Sequence, residues 1–307
     1  DIVAEASGLA AERRLAVLTR NQAVTASLDD ALAREIELFV RTSQFDRAIS
    51  LLSEHTFNVW EGGGDVHGLW EEAHLYRGED RLAAGRAVDA LADFEAALAY
   101  PENLRVGVPL SGAGSPKVFY RIGSAHERLR EKEEAADFYR RAAGARLSGS
   151  AQDYFKGLAL RKLGREEEAV RAFETLDLAA RKRLEAASAK AQAAQCRYLI
   201  GLARLGLGRP QEAAESLRKA LEADPNMTAA KRELAALPRR PGFVLLGLGV
   251  GLACQHWAHL AASGRAAAAC EVLESTAATS PLLRTSIHGV ICLAEPAASV
   301  DAPVHDM

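Results

Sequence analysis

Three consecutive glycines, Gly62, Gly63 and Gly64, lie between Trp60 and Trp70, with Glu61, Asp65 and His67 close by. Two carboxylates and an imidazole this near one another are side chains that can move protons in general acid–base catalysis. Such chemistry also needs a nucleophile, a metal cage or a held substrate, and the segment supplies none of them. It is not a phosphate loop either, since it lacks the Lys-Ser/Thr ending and a preceding strand. Glycines do allow backbone angles closed to other residues, which suits a turn. The stretch is therefore read as a corner. Trp60 and Trp70 anchor it on neighbouring helices, while Glu61, Asp65 and His67 present a polar edge. These five residues are the candidates for a contact between domains, and no catalytic residue is assigned.

The other residues with ligand chemistry lie late in the chain. Cys254, His256 and His259 could offer sulfur and nitrogen to a metal, but their spacing matches no zinc cage. No metal or cofactor is expected. Only Cys196 of the four cysteines precedes residue 250, and no CxxC pair exists, so a disulfide framework is not indicated. This favours a reducing compartment, the cytoplasm. A net charge of −3 over 307 residues, with both signs spread along the chain, gives no broad field for nucleic acid or an anionic membrane. The run GFVLLGLGVGLAC has 13 residues, short of the roughly 20 that a membrane helix needs.

Aromatic residues are 6% of the chain, and Ala, Leu, Glu and Arg dominate, side chains that lose little freedom in a helix. The helices repeat. Gly78, Gly123, Gly157 and Gly201 are each followed twelve positions on by Ala90, Ala135, Ala169 and Ala213. Four residues later come Phe94, Tyr139, Phe173 and Leu217, and three beyond those Ala97, Ala142, Leu176 and Ala220. Two antiparallel helices approach closely where contact residues are small, which the Gly and first Ala provide. The large residue then fills the groove towards the next unit. Gly85, Gly164 and Gly208 fall where the first helix must end and reverse. Pro225 closes the last unit. Upstream, ELFVRTSQFDRAISLLSEH reads as a weaker fifth unit around Ala48 and Leu52, and AERRLAVLTRNQAVTASLDDAL as one more helix.

The pattern resembles the tetratricopeptide repeat family over about residues 69 to 236. The resemblance implies an all-α, tetratricopeptide-like right-handed helical solenoid, with an irregular C-terminal tail after it. There are departures: His74 and Arg77 stand where the first copy should carry the family's Trp and Leu, and Arg130 takes a turn-glycine place. Only the step from Gly123 to Gly157 is the family's 34; the steps before and after are 45 and 44, and so carry insertions. The Trp-Glu-Gly-Gly element, with ALADFEAALAYPENL and YLIGLARLGLGR, is similar to the C-terminal repeat region of bacterial proteins catalogued as domain of unknown function 5107. That similarity implies a β-rich, sugar-enzyme-like domain ahead of the repeats, absent from this sequence. The chain begins at Asp1 and is read as a piece of a longer protein.

In the tetratricopeptide register, the residues three before each repeat glycine face the concave groove: Leu75, Tyr120, Tyr154 and Tyr198. Three tyrosines in a row would make a ladder for an extended peptide or sugar chain, each offering apolar area and a hydroxyl. Glu79 in the first unit argues against a partner held by its terminal carboxylate. The expected organisation is N-terminal helices with a degenerate repeat at 1–57, a Gly-rich loop at 58–68 and four repeats at 69–236. Residues 237–307 form an atypical tail, disordered or translated out of frame; they contain no Lys and three of the four cysteines. The expected function is that of a binding and scaffolding module, not an enzyme, with a protein, a peptide or the missing β-rich domain as partner. Carbohydrate remains a partner class if the region instead serves a bacterial carbohydrate-active enzyme; nucleic acid and membrane do not.

Overall fold

The structure is a computed structural model that describes residues 9–58, 65–110 and 112–237. The expectations for Trp60, Glu61, the three glycines and the tail lie outside the described residues. Among those that are described, all regular structure is helical. The helices are α1 (Ala11–Arg20), α2 (Gln22–Thr25), α3 (Asp29–Arg41), α4 (Phe45–Glu54), α5 (Val66–Ala83), α6 (Ala87–Ala96) and α7 (Pro116–Leu129). They continue as α8 (Lys132–Ala143), α9 (Ala151–Lys162), α10 (Glu166–Glu185), α11 (Lys190–Gly206), α12 (Pro210–Ala223) and α13 (Thr228–Ala236).

Helices α3 to α12 pair as five antiparallel hairpins, and the first helix of each hairpin packs on the first helix of the next. First helices thus form the inner layer of a tetratricopeptide-like solenoid. The reversals share one device. Ser43, Gly85, Arg130, Gly164 and Gly208 all adopt positive φ, between 60° and 80°. At each, two backbone amides bond back to carbonyls of the last turn, as from Gly85 N to Leu82 O and from Arg86 N to Arg81 O. This closes the helix and turns the chain. The hairpin of α3 and α4 obeys the same geometry around Ser43, and its Ala48 and Leu52 are fully buried.

The spacing of small and large residues is explained by contact within a hairpin. A Cβ built on Gly157 would lie 2.3 Å from the Phe173 ring, and one on Gly78 2.5 Å from that of Phe94. Gly123 and Gly201 stand in the same way against Tyr139 and Leu217. The large residue therefore seats first on the glycine of its own unit, where the sequence reading directed it to the next. Phe173 does both, since a Cβ built on Gly206 of the following hairpin would also lie 2.3 Å from its ring. Ala90, Ala169 and Ala213 are fully buried and Ala135 almost so, because a bulkier side chain there would push the paired helices apart.

Three further features depart from the sequence reading. The single helix expected before the repeats is split: α1 ends at Asn21, α2 is one turn, and the DDAL segment already belongs to α3. Residues 66–68, expected in the Gly-rich loop, form the first turn of α5. The two insertions differ in kind. The later one lengthens a helix, giving α10 its 20 residues. The earlier one is a loop after α6 that folds back on the N-terminal hairpin: Leu104 is buried among α3 and α4 residues, and Asn103 Nδ2 donates to the carbonyls of Leu52 and His55 at 2.7 Å each.

Candidate ligand groove

The inner face is built from residues two and three before each repeat glycine, a position pair that a helix turns towards adjacent directions. Leu75 is fully buried with Phe94, Ala90 and Val118, so the first position expected to face the groove belongs to the core. Tyr198 is buried as well, in the cluster that also takes Ala230 from α13. Tyr120, partly buried, and Tyr154, buried almost as deeply as Tyr198, do line a cleft of about 700 Å³. Their rings pack on Phe155, at centroid distances of 6.0 and 5.2 Å.

The neighbouring row, two before each glycine, is Tyr76, Arg121, Phe155 and Leu199. It supplies a cation-on-aromatic floor that the tyrosine register did not reveal. Lys117 Nζ lies 4.7 Å from the centre of the Tyr76 ring and 6.0 Å from that of Phe155, and Arg121 lies 5.4 Å from Phe155. Each ring face attracts the cation it meets. The signal lay in the sequence as a second set of residues at the repeat spacing, displaced by one position.

Glu79 of α5 holds this floor to the last helix. Its carboxylate forms an ion pair with Arg121 Nη2 at 2.7 Å and accepts from Arg232 Nε at 3.1 Å. Burial pushes the Glu79 carboxyl up, but Arg121, Lys117 and Arg232 together bring it below the usual range. Glu233, one residue further along α13, goes the other way: burial raises its carboxyl, and the charge of Glu79 adds to the rise against the pull of Arg121. Burial likewise drives the Tyr76 and Tyr198 hydroxyls well above their usual range, so both stay neutral hydrogen-bonding groups.

The corner residues that are described are used inside the chain. Asp65 caps α5, accepting from Gly68 N at 2.7 Å. Trp70 Nε1 donates to Ala96 O at 2.8 Å, and His67 Nε2 bonds Ala99 O at 3.1 Å while its ring stacks 3.7 Å from Tyr100. Both clasp α5 to the end of α6. The polar pair that replaced the family's Trp and Leu is also accounted for. Asp93 on α6, buried, accepts from Arg77 Nη2 at 2.7 Å, pairs with Arg81 at 2.8 Å and lies 3.3 Å from His74 Nδ1. One carboxylate thus meets three side chains of the facing helix, and the last repeat keeps a polar pair at two of these positions, Arg204 Nη1 donating to Ser216 Oγ at 2.8 Å. Among the described residues, no group of three or more His, Cys, Asp or Glu is arranged to hold a metal ion, and no helix is long and apolar enough to cross a membrane.

Paired helices stacked with a small-residue seam and a polar, aromatic inner face define a helical-repeat solenoid of the tetratricopeptide type. Residues 116–147 and 194–227 match the family described as Tetratricopeptide repeat. Solved structures with which the chain aligns include YrrB, described as a TPR protein with an unusual peptide-binding site, at 16% identity over 70% of this chain and 96% of that one, TM-score 0.30. MamA from Desulfovibrio magneticus RS-1, residue 41 to its end, aligns at 21% identity over 56% and 82%, TM-score 0.24. The Cut9–Hcn1 hetero-tetramer of the APC/C aligns at 15% identity over 75% and 40%, TM-score 0.33. The class rests on the hairpin geometry and the two matched segments.

Proposed function

We propose that the chain is a scaffold that binds a protein or an extended peptide along the inner face of its solenoid. One observation carries this reading: Tyr120, Tyr154 and Phe155 line an open cleft together with charged groups of both signs. Aromatic side chains supply apolar contact area at low entropic cost, and fixed charges set the register of a bound segment. A peptide library displayed on phage and selected on the full chain tests it. Selected peptides should lose at least about tenfold in affinity for the Tyr154→Ala variant, as truncation of an anchoring aromatic does. Peptides that bind equally to the Tyr154→Ala and Tyr120→Ala variants would place recognition elsewhere and overturn the reading.

The finer kinship belongs to the same proposal: a repeat region like those of proteins with domain of unknown function 5107, with the segment around Trp60 and Glu61 facing a β-rich domain of the parent protein. The bonds made by Asp65, His67 and Trp70 support a rigid corner from which such a contact could be presented. Accessory service to a carbohydrate-active enzyme gains no observation from the described residues, and a cytoplasmic setting stays part of the proposal.

A further inference from the structure

Arg232 occupies the groove as an arginine from a bound peptide would. It is carried by α13, and it reaches residues of α5 that lie 152 to 156 positions earlier in the chain. Its guanidinium donates from Nε to Glu79 at 3.1 Å, and from Nη2 to Asp80 Oδ1 at 2.7 Å and to the Tyr76 carbonyl at 3.3 Å. The central carbon of the same group lies 4.8 Å from the centre of the Tyr76 ring. Two carboxylates and a carbonyl take the fork of donors, and an aromatic ring lies against its charge, a fuller receptor than a lysine ammonium could use.

The helix that delivers Arg232 is weakly held by everything else. Its main packing partner is α12, the helix before it. Ala230 is its one fully buried residue, with Met227 and Leu234 only partly covered. Glu233 enters the same cleft and faces Glu79 with like charge. Asp80, the outer wall of the receptor, is about half exposed, so an incoming segment can reach it. The seat is well made, and its occupant is loosely tethered.

We infer that the receptor formed by Tyr76, Glu79 and Asp80 accepts an arginine of the partner peptide, and that α13 is an internal stand-in which the partner displaces. The inference rests on the reading of the groove as a peptide-binding surface and adds the chemistry of the partner: an arginine-bearing, basic segment. A ligand moves such an equilibrium only by its preference for the open state, so the internal competitor lowers the apparent affinity of the unsubstituted chain.

The probe is a fluorescein-labelled peptide with the sequence of residues 227–237, MTAAKRELAAL, titrated into the full-length chain. The Arg232→Ala chain should bind it at least about tenfold more tightly than the unsubstituted chain does, since its own competitor has lost its grip. Adding Glu79→Gln to that variant, or replacing the arginine of the peptide by alanine, should remove the gain. Equal affinity for both chains, or indifference to Glu79, overturns the inference. A second measurement needs no variant: with saturating peptide, the amides of α13 in the unsubstituted chain should exchange hydrogen faster while those of α9 do not. Unchanged α13 exchange overturns the inference as well. Library peptides that depend on Tyr154 yet carry no basic residue would sink the arginine receptor and leave the scaffold standing, whereas loss of the Tyr154 dependence strikes the scaffold itself.

Discussion

Replacing Gly157 by alanine drives a methyl group into Phe173. The added Cβ would stand 2.3, 2.5 and 2.9 Å from three carbons of the ring, all far inside contact distance. The ring cannot retreat freely: it is fully buried, and Gly206 of the next hairpin also packs closely against it. Overpacking of a core costs about 1–3 kcal/mol, and a fully buried ring already packed against two hairpins belongs at the upper end. Against this, alanine inside a helix is favoured over glycine by about 1 kcal/mol. The net loss is about 2 kcal/mol. With a urea m value of about 2 kcal/mol/M, the unfolding midpoint followed by far-UV circular dichroism should fall by about 1 M. The companion substitution Phe173→Leu shortens the ring and should rescue the alanine, with a coupling energy of about 1 kcal/mol or more between the two positions. A midpoint that stays level or rises in Gly157→Ala would refute the seating of the large residue on its own glycine, and with it the explanation of the repeat spacing.

Arg130 is exposed at φ 67°, a backbone shape that costs an ordinary residue about 1 kcal/mol. Arg130→Gly should therefore raise the melting temperature, while Gly164→Arg, the reverse change, should lower it. Asp93→Ala strips three side chains of their shared acceptor and should cost about 3 kcal/mol, seen as loss of stability in urea. Although burial raises the Asp93 carboxyl, hydrogen bonds from His74 and Arg77 and the charges of Arg77 and Arg81 lower it overall. Its contribution is then present above the unfolded pKa of about 3.9 and is lost as pH falls through the lower folded value, so the variant and the parent should converge only in strong acid. Glu233 has the opposite sign. Its raised folded pKa, caused by burial, makes the protonated form the better fit, so stability is lost as pH rises through that value. Glu233→Gln should be more stable than the parent at pH 7 and indistinguishable from it below about pH 4. Equal midpoints at pH 7 would show that the carboxylate is not penalised in the cleft.

The hairpins were legible because their signals are local. A glycine, an alanine twelve later and a large residue four beyond that describe one pair of helices meeting, and every member of the set lies within 17 residues. Turn residues spoke equally plainly, and Arg130 could be placed by counting from Gly123. The groove was harder to read. One position along a helix rotates the side chain by about 100°, which is enough to send Leu75 into the cluster of Ala90 and Phe94 and Tyr76, also buried, towards Lys117 and Arg232. Nor could step length tell the insertions apart, since eleven extra residues suit a loop and ten suit a longer helix equally well. The bond between Arg232 and Glu79 depends on the curvature summed over four hairpins, and no local spacing encodes it. His67 and Trp70 attracted notice for their chemistry, yet their polar atoms serve carbonyls of the same hairpin.

The loop that carries Asn103 sets an order of events during synthesis. Hairpins of a solenoid can in principle form one after another as the chain emerges, because each uses contacts close in sequence. The α3–α4 hairpin is an exception. Asn103 bonds the carbonyls of Leu52 and His55, Phe57 N donates to Asn103 O at 2.9 Å, and Leu104 fills the cluster beneath. These partners arrive about fifty residues late, some seconds behind at ordinary rates of translation. Until then the end of α4 lacks its acceptors' partners and part of its apolar cover. The α3–α4 hairpin is thus completed only after the α5–α6 hairpin that follows it, and a nascent chain stalled before residue 103 should present α4 to proteases that the finished protein resists.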